Sequence, residues 1–257
     1  MRTVLAALDD SPTARVVLEV AEAFAQLADA PVEAVHISDG GAETPEWLAT
    51  HHHLPLRALP GPVPSSLLAA VEAPAVIAGV FGARGMPGGR RPAGHTAMHV
   101  LQRATKPIVV VPPDAGLGAR RPMARLLVPL EGDLASSVPV LASLGPLITQ
   151  PVELVVLHVF TPATVPRVLD HPVRDLDLWG EEFVARHCPA AGRIELRTGA
   201  VGATVAQVAV EEAADLIVLS WSRDSSPGHA AVIQEVLGSA SVPVLLLPTD
   251  GVSERPR

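Results

Sequence analysis

The residues with the most chemical potential lie between Gly79 and Thr96: Gly79-Val80-Phe81-Gly82-Ala83-Arg84-Gly85-Met86-Pro87-Gly88-Gly89-Arg90-Arg91-Pro92-Ala93-Gly94-His95-Thr96. Six of these eighteen residues are glycines and three are arginines. Glycines let a backbone approach a ligand closely and present its N–H groups to phosphate oxygens. Arginines add charge-assisted hydrogen bonds. A helix expected to start near His95-Thr96 turns its positive end to the same place. Together these residues suit anion binding; the alternative for such a composition is a flexible surface loop. A second stretch, Leu8-Asp9-Asp10-Ser11-Pro12, sets two carboxylates after an apolar run. A carboxylate there can hold a ribose hydroxyl or a metal. Equally, Asp10 or Ser11 can cap the helix that follows.

Other chemistries are excluded. Lys106 is the only lysine and precedes a proline and an apolar run, so no Gly-Lys-Ser/Thr phosphate loop exists. No Gly-x-Ser-x-Gly elbow and no His-Glu-x-x-His occurs. A dinucleotide fingerprint would follow the first strand of its unit, whereas this glycine-rich stretch comes late. His51-His52-His53 cannot share one metal ion from a helix, where adjacent side chains diverge by ~100°. The single cysteine, Cys188, forms no internal disulfide and lacks a companion catalytic motif. A formal net charge of -8 and 3% aromatic residues argue against nucleic-acid and anionic-membrane partners. Asp9 and Asp10 interrupt the N-terminal apolar run too early for a signal peptide. No run reaches the ~20 apolar residues of a membrane helix, so a reducing cytoplasm is the expected location.

The elements that would position these residues occur twice. Val4-Leu5-Ala6-Ala7-Leu8-Asp9 resembles Leu126-Leu127-Val128-Pro129-Leu130-Glu131, and Val35-His36-Ile37 resembles Leu157-His158-Val159. Ala75-Val76-Ile77-Ala78-Gly79 resembles Asp215-Leu216-Ile217-Val218-Leu219, and Lys106-Pro107-Ile108-Val109-Val110-Val111-Pro112 resembles Val242-Pro243-Val244-Leu245-Leu246-Leu247-Pro248. Four matched blocks in one order describe a duplicated domain rather than a solenoid. Short apolar runs alternating with helix-patterned segments (Thr13–Leu27, Ser65–Ala73, Thr204–Ala213, Ala230–Leu237) predict βαβ units around buried parallel strands. Strands are expected near 3–8, 31–37, 54–59, 75–80 and 107–112, then near 125–130, 152–159, 193–198, 215–220 and 242–248. The fold class is thus α/β: two tandem doubly wound domains, each a five-stranded parallel sheet with flanking helices. Domain 1 covers 1–114, a Pro/Gly-rich linker 115–123, and domain 2 covers 124–250. The apolar final strands of the two copies invite pairing into a pseudo-two-fold dimer within the chain, with further homo-oligomers open.

An acid after strand 1, Val-His-Ile at strand 2, Gly-x-x-Gly after strand 4 and a final Lys-Pro-Ile-Val-Val-Val-Pro strand together resemble the universal stress protein family, over nearly the whole chain, twice. In the nucleotide-binding branch the resemblance implies ATP, with Mg2+ as its companion, bound through Gly-x-x-Gly, nine residues, then Gly-Ser/Thr. Carried onto domain 1, Asp9 (with Asp10 beside it) matches the acid, and Ile37 the position whose backbone meets adenine. Gly82-Ala83-Arg84-Gly85 matches the Gly-x-x-Gly, with Gly79 an alternative start, and Gly94 matches the later glycine after eight residues. His95, then Thr96, stand at the Ser/Thr position. Domain 2 departs further: its loop from Ser220 to His229 has one glycine, carries Asp224 and is shorter, and Trp221 would crowd a backbone-lined site. A non-catalytic stress-response or regulatory protein with one adenine-nucleotide site in domain 1 is the expectation. A scaffold that binds no nucleotide and a slow ATPase are the alternatives.

Overall fold

A computed structural model of the chain describes residues 2–38, 54–83, 93–115, 122–161, 164, 172–223 and 229–249. The first unit contains β1 (Thr3–Ala7), α1 (Ala14–Leu27), β2 (Val32–Ser38), β3 (Leu56–Pro60), α2 (Val63–Val71), β4 (Val76–Gly82), α3 (His95–Leu101) and β5 (Ile108–Val111). The second contains β6 (Arg125–Pro129), α4 (Leu134–Leu144), β7 (Glu153–Phe160), α5 (Pro172–His187), β8 (Arg193–Thr198), α6 (Val201–Glu211), β9 (Leu216–Trp221), α7 (His229–Ser239) and β10 (Val244–Pro248), with a short 3-10 turn at Gly145–Leu147. Each expected strand is present to within about two residues. The helix α4 was not anticipated: Ser136 and Ser137 weaken its pattern and Pro139 sits inside it.

All ten strands form one sheet in the order β3-β2-β1-β4-β5-β10-β9-β6-β7-β8. Each half is the expected five-stranded parallel sheet, because crossover helices return every strand in the same direction. The halves join through β5 and β10, which pair antiparallel with Val110 opposite Val244 and Ile108 opposite Leu246. These are the two apolar strands whose open edges most needed cover. At the outer rim, β8 carries Arg193, Glu195 and Arg197, which pair with one another and with Glu211 and Glu212. Charges on an edge strand discourage pairing with another sheet.

The helices form layers on both faces of the sheet, and each face has its own apolar core that runs through both units. In α1 the buried Ala14, Val17, Leu18, Ala21, Phe24 and Ala25 repeat at three- and four-residue spacing, which is one helical face. Asp29 ends this helix in the left-handed region (φ 46) while Ala30 N–H donates back to Ala25 O at 3.0 Å. Ala213 does the same after α6 (φ 48), with Ala214 N–H on Ala209 O at 2.9 Å. Polar links reinforce the join between units: Thr149 N–H and Oγ1 both donate to Leu27 O, at 3.0 and 3.1 Å.

The duplication is visible atom by atom at the strand-2 histidines. His36 Nδ1 meets Leu8 O at 2.9 Å, and His158 Nδ1 meets Leu130 O at 2.9 Å, both across 28 residues. Both rings are buried and each satisfies the carbonyl just past its neighbouring first strand, so both histidines are structural. The lone lysine is structural too: Lys106 Nζ donates to the carbonyls of Ala73 and Val76. The ends of the expected linker, Ala115 and Met123, are buried in the core, and residues 116–121 lie outside the described residues. Trp179 and Phe183 on α5 pack around His158 with ring centroids 5.0 Å from it, which makes them core.

Candidate functional site

The parallel strands of the first unit end at a cavity of about 240 Å³. In an open α/β sheet this rim is where ligands bind, because the chain diverges to opposite faces there. Val35 and Ile37 from β2, Leu67 from α2 and Phe81 from β4 make its apolar wall. Asp9, Ser11 and Thr13 form one polar side, and Gly82, Ala83, Gly94, His95 and Thr96 the other.

Asp9 bends the chain out of β1. Its Oδ1 accepts the Ser11 N–H at 3.0 Å, a local turn that leads into α1. Neither Asp10 nor Ser11 caps that helix: Thr13 stands at the N-cap without a capping bond from its side chain, and its hydroxyl pairs instead with that of Ser11 at 2.8 Å. Asp10 is exposed and lies outside the cavity lining, so the structure separates it from Asp9.

The glycine-rich segment leaves and returns at one point. Ala83 N–H donates to Val111 O at 2.8 Å, and Gly94 N–H donates to Ala83 O at 2.7 Å. Arg84 and Gly85, together with Arg90 and Arg91, lie outside the described residues. Gly94 has φ -69, and a Cβ built there would meet only Ala83 O at 3.6 Å. Among the described residues the fold thus leaves room for a side chain at this position. Gly79 is the reverse. It lies mid-strand, outside the cavity, and a Cβ would fall 2.9 Å from Val71 Cγ2 and 3.2 Å from Ile108 Cδ1. Gly79 lets α2 pack on β4 and is not part of the site. The helix α3 is only seven residues long, so its dipole is weak, but its first residues His95, Thr96 and Ala97 line the cavity directly.

Strand register defines the counterparts in the second unit. Gly79 sits opposite Leu5 and Ile108; Ile217 sits opposite Leu127 and Val244. Gly79 thus corresponds to Ile217, not to Leu219 as the apolar blocks suggested; the one-residue irregularity of the β1–β4 ladder at Thr3/Val4 accounts for part of that two-residue offset. Continuing along the strand, Phe81, Gly82 and Ala83 correspond to Leu219, Ser220 and Trp221. Where Ala83 leaves room, the second unit places an indole that is 4% exposed and donates from Nε1 to Leu101 O at 2.7 Å. Sequence reasoning had not foreseen that this tryptophan joins the two units. Asp224 lies outside the described residues. Among the described residues no group of three or more His, Cys, Asp or Glu could hold a metal ion. Cys188 is buried, and that burial pushes its thiol above the ordinary range, so it is unsuited to nucleophilic work.

Known proteins give a consistent picture. The family model described as the universal stress protein family matches residues 123–248, which span β6 to β10. No curated protein sequence matches significantly. Among solved structures, a protein of unknown function from Pseudomonas aeruginosa PAO1 is 12% identical, with a TM-score of 0.68 over 97% of this chain and 93% of its own. A putative universal stress protein from Pseudomonas aeruginosa UCBPP-PA14 gives 12%, 0.65, 97% and 94% for the same quantities. A universal stress protein from Archaeoglobus fulgidus gives 14%, 0.62, 98% and 97%. These likenesses extend the shared fold over both units. Its second unit, matched from first strand to last, belongs to the universal stress protein family, and the solved structures show the same fold over both units.

Proposed function

We propose that this chain is a non-catalytic regulatory protein of the stress response that binds one adenine nucleotide, ATP or a relative, in its first unit. The cavity at the ends of β1, β2 and β4 carries this reading. Its apolar wall of Val35, Ile37, Leu67 and Phe81 suits a purine, and Ile37, near the end of β2, is the position whose backbone would meet the base edge. Asp9 can accept from ribose hydroxyls. Gly82 and Gly94 let the backbone approach phosphates, and Arg84 and Arg90 would supply charge from the segment between them. Mg2+ would accompany a triphosphate as its counter-ion. Among the described residues, the ionisable side chains in the lining are Asp9 and His95. Asp9 is already engaged by the Ser11 N–H, which makes it a poor general base for hydrolysis. No helix among the described residues is long and apolar enough to cross a membrane.

The test is equilibrium titration of a fluorescent ATP analogue into the wild type, Gly94→Val and Ser222→Val. One nucleotide per chain is expected, weakened by the first change and untouched by the second. Two nucleotides per chain, or equal loss from both changes, overturns the one-site reading. No binding at all to the wild type favours the scaffold.

A further inference from the structure

We propose that His95 and His99 together bind a zinc-class divalent ion at the mouth of the first-unit cavity. The two residues are four apart on α3, close to one full turn, so their rings share a face. Their centroids are 6.3 Å apart, with the planes tilted by 43°. His95 is exposed and lines the cavity, and His99 is half-buried one turn below. In such a site each imidazole nitrogen would lie about 2.0–2.1 Å from the shared ion. Paired histidines at this spacing on one helix are a recurring way to hold zinc.

Arg103 sets a limit: it donates from Nη1 to His99 O at 3.2 Å, and its charge opposes a dication nearby. With two protein ligands, the remaining positions fall to water in the free protein. The site therefore stands or falls independently of nucleotide binding.

The probe is Zn2+ alone, titrated by calorimetry into the full chain without nucleotide. His51, His52 and His53 are replaced by glutamine in the reference protein, so that this run cannot supply the site. The reference protein is expected to bind one Zn2+. His99→Gln in that background should weaken binding about a hundredfold, because the second imidazole acts at high effective concentration on a rigid helix. His95→Gln should do the same. With Cu2+ as a spectroscopic probe, nitrogen hyperfine structure should fall from two imidazoles to one in either variant. Wild-type affinity retained by His99→Gln, or zinc binding that vanishes with the His51–His53 replacement alone, overturns the proposal. An unchanged circular dichroism spectrum for His99→Gln separates loss of the site from loss of the fold.

Discussion

Trp221 reaches out of its own unit: its indole Nε1 donates to the carbonyl of Leu101, 120 positions earlier, across a buried 2.7 Å contact. Leu101 ends α3, so this bond satisfies a carbonyl that the helix itself leaves without a partner. The residue that replaces Ala83 in the second copy thus ties that copy to the first. Trp221→Phe keeps an aromatic ring but removes the donor. It should cost about 1–3 kcal/mol, the penalty of a buried unsatisfied carbonyl. Trp221→Ala, which adds a cavity, should cost about 3–5 kcal/mol. Urea unfolding followed by circular dichroism measures both, and a neutral Trp221→Phe would show that the bond adds nothing.

A second expectation concerns acid. His158 lies below the ordinary histidine range because burial disfavours its charged form, although its bond to Leu130 O works the other way. His187 is lowered by burial and then by Arg186, against the opposing charge of Asp133. Above pH ~6.5 these rings are neutral both folded and unfolded, so they contribute no pH dependence. Below it the unfolded chain takes up protons that the folded chain resists, and stability falls as the pH drops. Denaturant midpoints should fall between pH 7.5 and 5.5, and less so in His158→Gln. An identical slope in that variant would remove His158 as a cause.

These two cases show what was legible and what was not. The strands and most helices could be read because β-sheet burial on both faces writes continuous apolar runs, and because each run appears twice. The pairing of the final strands followed from their apolar edges. Register was harder. The ladder irregularity at Thr3/Val4 contributes one of the two residues by which the counterpart of Gly79 moves from Leu219 to Ile217, and no local pattern in β4 announces it. Gly79 itself resembled a site glycine because a glycine needed for packing and one needed for a ligand are identical in sequence. Trp221 was read as an obstruction within one unit. Its actual partner is a carbonyl in the other, a long-range contact that periodicity does not encode.

The helix end at Ala213 offers a stability gain. Its φ of 48 places a side chain in the left-handed region, where glycine is normally preferred. Ala213→Gly should relieve that strain and stabilise the protein by about 0.5–1 kcal/mol, in spite of the added freedom of the unfolded chain. Thermal unfolding of the two proteins under one condition decides it, and a lower midpoint for the glycine variant would contradict the assignment.

The sharpest expectation sets Gly79 against Gly94. Both are glycines beside the same glycine-rich segment, but their surroundings differ. At Gly79 a methyl group would press on Val71 and Ile108 inside the core, at 2.9 and 3.2 Å. Gly79→Ala should therefore destabilise the protein by about 1–3 kcal/mol through overpacking. It should leave nucleotide affinity unchanged under conditions where the protein stays folded, because the residue does not line the cavity. At Gly94 the nearest atom is 3.6 Å away and the backbone is extended, so Gly94→Val fits the fold with at most about 1 kcal/mol lost from the helix cap. Its side chain would occupy the space where, in the proposed nucleotide site, a phosphate would approach the backbone. The loss of one charge-assisted hydrogen bond, about 1.5–3 kcal/mol, corresponds to roughly ten- to a hundredfold in Kd. Stability and ATP affinity measured on both variants should therefore separate completely, with stability lost at position 79 and affinity at position 94. If Gly94→Val instead lowers stability as much as Gly79→Ala and leaves ATP affinity unchanged, Gly94 serves the fold, and the phosphate contact must lie elsewhere on the rim.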